Sequence, residues 1–176
     1  NTFSFQNTTR IHFGEGQIAA IATDIPADAR VLVTYGGGSI KSNGVYDQVV
    51  EALSEHTWEE FSGIEANPQF DTLMKAVELI REEGYDYLLA VGGGSVVDGT
   101  KFIVAAAEFS GDAWDICQYG AEVKTALPLA CVLTLPATGS ESNSGAVITR
   151  GQDKLFFGTP LVQPKFAVLD PATTLS

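Results

Sequence analysis

The sequence predicts an α/β protein built on a parallel sheet. Short apolar runs without polar alternation, which are typical of strands buried on both faces, alternate with segments whose apolar residues have helical spacing. Two of the runs, at 30–35 and 87–91, lead into the same four residues, Gly-Gly-Gly-Ser, at 36–39 and 92–95. This repeated order of strand, loop and helix is typical of parallel strands joined by right-handed crossovers.

The spacing of apolar residues and the positions of glycine and proline predict the individual strands and helices. Residues 2–5 and 10–13 alternate between apolar and polar side chains, as half-buried strands do, and 18–25 form a helical pattern that stops at Pro26. The remaining predicted elements are a strand at 31–34, a helix with apolar residues at 45, 49, 50 and 53, a strand at 57–61, an amphipathic helix over 70–80, a buried strand at 87–91, a helix through 96–107, loop with a short helix at 109–128, a buried strand at 130–134, and short strands at 146–148 and 166–169 with residues 154–157 between them.

Composition excludes several classes of function. The 176-residue chain has a net charge of −12 and a pI near 4.4, so its surface repels nucleic-acid phosphates and anionic lipid. No apolar stretch is long enough to span a bilayer, and the N-terminus lacks a signal-peptide pattern, so we expect a cytoplasmic protein. Cys117 and Cys131 have no CxxC spacing, and we expect both to be small buried residues.

The two glycine loops predict binding sites for an anion. Glycine lets a phosphate approach the main chain, and the N-terminus of the following helix favours negative charge. In the second loop, Ser95 could cap the helix or bind a phosphate oxygen, Asp98 could point into the cleft, and Lys101 lies one turn further. The alternative is a plain turn with a serine N-cap and an aspartate that stabilises the helix dipole. Two matching loops favour a ligand with phosphates in two places.

The residues after the first long buried strand indicate which dinucleotide is bound. Neither loop has the spacing GxGxxG, which is accompanied by an acidic residue that binds the adenosine ribose and selects NAD. Where such an acid could stand, the chain has Gly36 and Gly37, followed by Ser39 and Lys41. A carboxylate there would repel a 2′-phosphate, whereas these residues would admit it. The sequence therefore predicts NADP.

A third polar segment, residues 134–143, follows another buried strand and is rich in hydroxyl groups. Thr134, Thr138, Ser140 and Asn143 suit a ribose or a nicotinamide amide, although a polar loop with turns closed by side chains is the alternative.

Other polar residues carry less information. Asn67, before Pro68, could be a helix N-cap or a ligand contact. His12 and His56 have no partner at metal-ligand spacing, so we assign them neither a metal nor a catalytic role. The sequence also lacks a nucleophile elbow and a Walker A lysine. It thus predicts a cofactor site without a visible catalytic residue.

Four ordered motifs, at 35–41, 63–68, 89–101 and 133–143, resemble the iron-containing (group III) alcohol dehydrogenase family, and within it the NADPH-dependent butanol dehydrogenases and aldehyde reductases. The resemblance implies a Rossmann-like N-terminal domain, as in dehydroquinate synthases, followed by a helical domain that this chain lacks. We therefore interpret residues 1–176 as one NADP-binding α/β domain, a fragment of a two-domain enzyme.

The resemblance also implies roles for individual residues. Asp98 would lie near the nicotinamide, and no other residue of the chain is a catalytic candidate. The metal of the family, iron or zinc, is held by an aspartate and three histidines that match nothing here, so we assign no metal ligand. The implied cofactor contacts are Gly37, Gly38 and Ser39 with the adenosine ribose and its 2′-phosphate, Asn67 near the same ribose, Gly93, Gly94 and Ser95 with the pyrophosphate, Thr134 and Thr138 with the adenine side and centre of the cofactor, Ser140 and Asn143 in the inner cleft, and Lys154 with the nicotinamide ribose.

The expected function is hydride transfer between NADP(H) and a primary alcohol or aldehyde, with a small-molecule substrate and neither nucleic acid nor membrane as partner. Two alternatives stay open: a dehydroquinate synthase-like lyase domain, and a non-enzymatic dinucleotide-binding module. The early alternating strands could pair across a homodimer, as edge strands can.

Overall fold

The computed structural model of the chain describes residues 9–134 and 142–170. Six of its strands form one sheet in the order β1-β8-β5-β4-β2-β3, and every neighbouring pair in it is parallel. The remaining two strands form a separate antiparallel hairpin. The strands are β1 (Arg10–Phe13), β2 (Arg30–Thr34), β3 (Thr57–Phe61), β4 (Tyr87–Gly92), β5 (Leu129–Leu133), β6 (Gly145–Arg150), β7 (Asp153–Gly158) and β8 (Phe166–Leu169). The parallel α/β fold is confirmed.

Helices cover both faces of the sheet. One face packs against a 3-10 turn (Gln17–Ala20), α1 and α3, and the other packs against α4 and α5. The helices are α1 (Ile21–Asp24), α2 (Ser39–Ser42), α3 (Val45–Ala52), α4 (Phe70–Glu83), α5 (Gly94–Ala106) and α6 (Asp115–Gln118), with a second 3-10 turn at Pro160–Val162. None of the helices described is long and apolar enough to cross a membrane.

Burial explains the sequence pattern of each element. The central strands β4 and β5 are buried at every residue, which is why they have no polar alternation. Helix α4 is amphipathic because it buries only one face, and it ends where Gly84 takes the left-handed conformation with φ of 79°. Helix α5 is apolar almost all round because it packs against the sheet, α4 and the β6–β7 hairpin.

The β6–β7 hairpin is the main departure from the prediction. Residues 154–157 belong to a strand that pairs with β6, and both strands stand outside the parallel sheet. The hairpin closes through Gly151, whose φ of 62° a tight turn between two strands requires. The predicted strand at 2–5 lies outside the described residues.

The two cysteines are buried, as expected, and are not joined in a disulfide. Burial raises the pKa of the Cys117 thiol to about 12, so the thiol stays protonated and unreactive at neutral pH.

Candidate cofactor-binding site

The adjacent strands β2 and β4 mark the point where the chain connections change direction. β2 leads to β3 on one side of the pair, whereas β4 leads through α5 to β5 on the other side. Ligands of open parallel sheets bind in the crevice outside the carboxyl ends of the strands at such a point. Both glycine loops lie there, one directly after β2 and the other at the junction of β4 and α5.

Backbone hydrogen bonds join the segments that follow the strands. Gly63 N donates to Gly36 O at 2.9 Å, which ties the loop after β3 to the first glycine loop. Thr134 N donates to Gly92 O at 3.1 Å, which ties the end of β5 to the second glycine loop. Each glycine loop is therefore tied by a backbone hydrogen bond to the segment that follows a neighbouring strand.

Packing requires glycine at some positions of the two loops but not at others. A Cβ on Gly36 would lie 3.0 Å from the carbonyl oxygen of Ile64, and one on Gly92 would lie 2.9 Å from Val96 Cγ2, so packing demands glycine at both. A Cβ on Gly37 or Gly38 would meet no atom within 4 Å, and neither residue has a positive φ. Nothing within the described fold explains these two glycines, and their open side is accessible to a ligand.

Three side chains, those of Tyr35, Tyr46 and Glu60, surround the Lys41 side chain beside the first loop. Lys41 Nζ lies 4.9 Å from the ring centroid of Tyr46 and 3.9 Å from Glu60 Oε1. The Glu60 carboxylate accepts hydrogen bonds from Tyr46 Oη at 2.5 Å and Tyr35 Oη at 2.9 Å. The hydrogen bond to Glu60, with burial and nearby negative charge, raises the pKa of Tyr46 to about 12. Helix α2 has only one turn, so its dipole is small, and Lys41 is the nearby group with a full positive charge.

The second loop differs from its simplest prediction. Helix α5 begins at Gly94 with Gly93 as its N-cap, and no side chain caps it. The predicted N-cap role of Ser95 is therefore wrong, because this residue already lies inside the first turn. Its hydroxyl donates instead to the carbonyl of Ala66, which binds the loop before α4 to α5.

Asp98 and Lys101 attach α5 to the hairpin region. Half-buried Asp98 accepts a hydrogen bond from Val147 N at 3.2 Å. Lys101 is fully buried, and its Nζ donates to Asn143 Oδ1 at 2.7 Å and to Gly145 O at 3.0 Å. The sequence marked the position of Lys101 without giving it a function. The available signal was a lysine on a helix that is otherwise apolar all round, since such a lysine must find polar partners.

Asn67 and Lys154 are 87 residues apart and meet at the crevice, where Lys154 Nζ donates to Asn67 Oδ1 at 3.4 Å. The N-cap of α4 is Gln69, so the N-cap interpretation of Asn67 is wrong. The structure thus brings together two predicted cofactor contacts.

The third polar segment is only partly described. Thr134 is half-buried at the end of β5, and Asn143 is fixed by Lys101 and by Gly145 N, which donates to its Oδ1 at 3.1 Å. Thr138 and Ser140 lie outside the described residues.

In the part of the chain that the structure describes, the opposite edge of the sheet lacks such an arrangement of glycine loops. A depression of about 470 Å³ lies there, lined by residues that include Asp24, Tyr87 and Lys165 at the amino ends of strands, away from the glycine loops. His12 Nε2 contacts Asp24 Oδ2 at 2.5 Å, a partner that the sequence did not indicate. Over residues 9–134 and 142–170, no group of three or more His, Cys, Asp or Glu side chains could hold a metal.

Comparison with known proteins gives consistent matches. The chain is 58% identical over 179 residues to the NADPH-dependent aldehyde reductase YqhD of Escherichia coli K12, and 48% identical to a probable NADH-dependent butanol dehydrogenase of Bacillus subtilis. Each alignment covers 99% of this chain but 46% of the relative, so the chain spans about half the length of these proteins.

Solved structures match in the same way. The crystal structure of E. coli K-12 YqhD superposes with a TM-score of 0.95 and is matched over 99% of this chain and 46% of its own. The NADH-dependent butanol dehydrogenase A of Thermotoga maritima, 42% identical, gives a TM-score of 0.93 over 98% of this chain and 45% of its own. The family model for iron-containing alcohol dehydrogenases matches residues 8–171, and the chain belongs to that family.

Proposed function

We propose that this chain is the NADP-binding domain of a metal-dependent alcohol dehydrogenase or aldehyde reductase. The observation that carries the proposal is the pair Gly37 and Gly38, which the fold does not require and which faces open space at the strand switch point. Glycine there lets a phosphate approach backbone N–H groups closely. The named activities of the relatives, aldehyde reduction and butanol oxidation, support the choice of reaction.

The cofactor would lie along the crevice from the first glycine loop to the hairpin. In this arrangement the first loop binds the adenosine ribose and 2′-phosphate, and the second binds the pyrophosphate. Because Lys154 Nζ contacts Asn67 Oδ1, the pair contacts a single ribose in this proposal, the one next to the nicotinamide, in place of the separate riboses expected for the two residues. Asp98 lies at the nicotinamide end. The residues proposed to contact the cofactor are Gly37, Gly38, Ser39, Asn67, Gly93, Gly94, Ser95, Asp98, Thr134, Thr138, Ser140, Asn143 and Lys154.

Each part of the chain has a defined task in this mechanism. The bound nicotinamide supplies or accepts the hydride. The glycine loops fix the phosphates through backbone N–H groups, and Lys154 orients the ribose next to the nicotinamide. Val147 N holds the Asp98 carboxylate in one position by its hydrogen bond at 3.2 Å. This fixed geometry lowers the entropic cost of aligning the cofactor.

Within residues 9–134 and 142–170, no group of His, Cys, Asp or Glu side chains fits the iron or zinc of the family. We place the metal ligands in the second half of the full-length protein. We therefore expect the isolated chain to bind cofactor without turning over butanal. Butanal-dependent oxidation of NADPH by the isolated chain that survives a chelator would contradict this division.

Calorimetric titration of the chain with NADPH and with NADH tests the proposal. We expect tighter binding of NADPH, and loss of that preference in Ser39→Asp, because the new carboxylate repels the 2′-phosphate. Ser42→Asp is the matched control: it adds the same charge to α2 at an exposed position. Equal binding of both dinucleotides would remove the NADP assignment, and steady conversion of NADPH by the full-length protein would exclude the lyase and sensor alternatives.

The same proposal includes a homodimer in the cytoplasm. β1 is an edge strand with exposed apolar side chains, since Phe13 is 73% and Ile11 43% exposed. Among the described residues β1 pairs with β8 alone, and an edge strand of this kind is available for pairing with a second chain. Sedimentation of the full-length protein should give a dimer that Phe13→Asp weakens, and a wild-type monomer would refute this part.

A further inference from the structure

Phe156 on β7 is a large aromatic residue that is exposed and yet firmly supported. It is 67% exposed. Its ring lies over the cross-strand pair Gly145 and Gly158: a Cβ on Gly145 would be 2.5 Å from the ring Cζ, and one on Gly158 would be 3.2 Å from it. Only a pair of glycines leaves room for this ring against the hairpin backbone. The ring is therefore held in place without being buried.

The supported ring forms one wall of a depression of about 310 Å³, a size that suits a small organic molecule. Asp98, Asn143 and the start of β6 line the rest of it. Both polar side chains are fixed, Asp98 by Val147 N and Asn143 by the buried ammonium of Lys101. An apolar wall opposite a few oriented polar groups is the usual composition of a site for a small ligand.

The position of the depression relative to the proposed cofactor indicates its occupant. Lys154 and Phe156 are two residues apart on β7, so both project from the same face of the hairpin. Lys154 is the proposed contact of the nicotinamide ribose, and Asp98 is the proposed neighbour of the nicotinamide. Phe156 therefore lies next along this face, beside the reactive end of the cofactor.

We propose that Phe156 is a specificity-determining residue that contacts the alkyl or aryl group of the aldehyde or alcohol. The inference rests on the proposed function and deepens it, since it names the substrate class: uncharged aldehydes with a chain of several carbons or an aromatic ring. Contact with the phenyl ring stabilises such groups by burial of apolar surface, which acetaldehyde is too small to share.

The test uses the full-length metal-loaded enzyme that contains this chain. In Phe156→Ala we expect kcat/KM for hexanal and benzaldehyde to fall about tenfold or more, because a phenyl contact is lost, while kcat/KM for acetaldehyde and the Kd of NADPH stay within about twofold. Phe156→Leu should restore part of the rate with hexanal. Tyr119→Ala is the matched control, since Tyr119 is 77% exposed and does not line the depression.

The outcomes separate this inference from the proposed function. An equal loss for all aldehydes, or a parallel rise in the Kd of NADPH, would assign the ring to cofactor binding or folding and overturn the inference alone. A wild-type enzyme that binds NADPH but reduces none of these aldehydes would overturn the proposed function, and the inference with it. If Phe156→Ala does not fold, Phe156→Leu takes its place. The inference is refuted if the ratio of the kcat/KM values for hexanal and acetaldehyde in Phe156→Leu equals that of wild type.

Discussion

Replacement of Gly38 by alanine tests whether glycine is needed at this position for cofactor binding or for folding. Gly38 has φ of −86° and ψ of 3°, which alanine adopts without strain, and a Cβ there meets no atom within 4 Å. Because alanine reduces the freedom of the unfolded chain, Gly38→Ala should raise the free energy of unfolding by about 0.4–1 kcal/mol. The same methyl group projects into the space where we place the phosphate.

The binding loss follows from the contact that the methyl group blocks. If it prevents one hydrogen bond between a backbone N–H and a charged phosphate oxygen, binding weakens by about 1.5–3 kcal/mol. With about 1.4 kcal/mol for each factor of ten, the Kd of NADPH rises about 10- to 150-fold. Urea unfolding and calorimetric titration of the same samples measure both quantities. The signature is a variant that is more stable and binds more weakly.

Gly36→Ala is the comparison variant within the same loop. Its Cβ would lie 3.0 Å from the backbone oxygen of Ile64, so the loop after β3 has to shift. We expect a lower free energy of unfolding, by about 1–3 kcal/mol, as for other overpacked sites. If Gly38→Ala is stabilised but binds NADPH within twofold of wild type, the open side of Gly38 does not face the cofactor and the reasoning is refuted.

Three further predictions concern the supports of the site. Lys101→Met leaves Asn143 Oδ1 and Gly145 O without this donor and should cost about 1–3 kcal/mol in urea unfolding, so a change under about 0.5 kcal/mol would contradict its supporting role. Gly99→Val places a Cβ 2.9 Å from Leu73 Cδ2 and should destabilise by about 1–3 kcal/mol in the same assay; an unchanged urea midpoint would contradict it. The pKa of Tyr46 is raised from 10 to about 12, so its contribution to stability is complete below pH 10 and is lost as pH rises through 12. The difference in free energy of unfolding between wild type and Tyr46→Phe should therefore shrink between pH 10 and 12. In an alkaline absorbance titration, Tyr46→Phe should show one tyrosine fewer ionising near pH 12 than wild type. A stability difference that stays constant across this range would refute the assignment.

Local sequence was sufficient for the elements of the sheet. The run at 87–91 became the central strand β4 because its side chains are buried on both faces of the sheet, whereas the run at 57–61 became the edge strand β3, which is only partly buried. A repeated strand, glycine loop and helix has few ways to fold. The same signals placed both glycine loops at the carboxyl edge. Burial on both faces and turn chemistry are encoded within about ten residues, so they can be read without knowing the tertiary structure.

Features that depend on distant residues were not accessible in this way. The pairing of β7 with β6 and the contact between Lys154 and Asn67 require a hairpin that leaves the sheet and folds back over the crevice. The N-cap interpretations of Asn67 and Ser95 were wrong for a related reason. Each side chain has a tertiary partner, Lys154 for Asn67 and the carbonyl of Ala66 for Ser95, which local capping preferences do not include.

An acidic protein that binds a polyanionic cofactor needs local compensation for its net charge of −12. In the proposed site, groups at the crevice supply this compensation. Backbone N–H groups of the two loops act as fixed dipoles. Lys101 Nζ donates to Asn143 Oδ1 and Gly145 O and so holds the start of β6 in place. Lys41 lies against the Tyr46 ring, but its ion pair with Glu60 leaves no net positive charge there, so the backbone dipoles of the loops supply the compensation. In the proposed site, selective binding of the dinucleotide depends on oriented backbone groups at the two loops, while the net negative charge disfavours other polyanions.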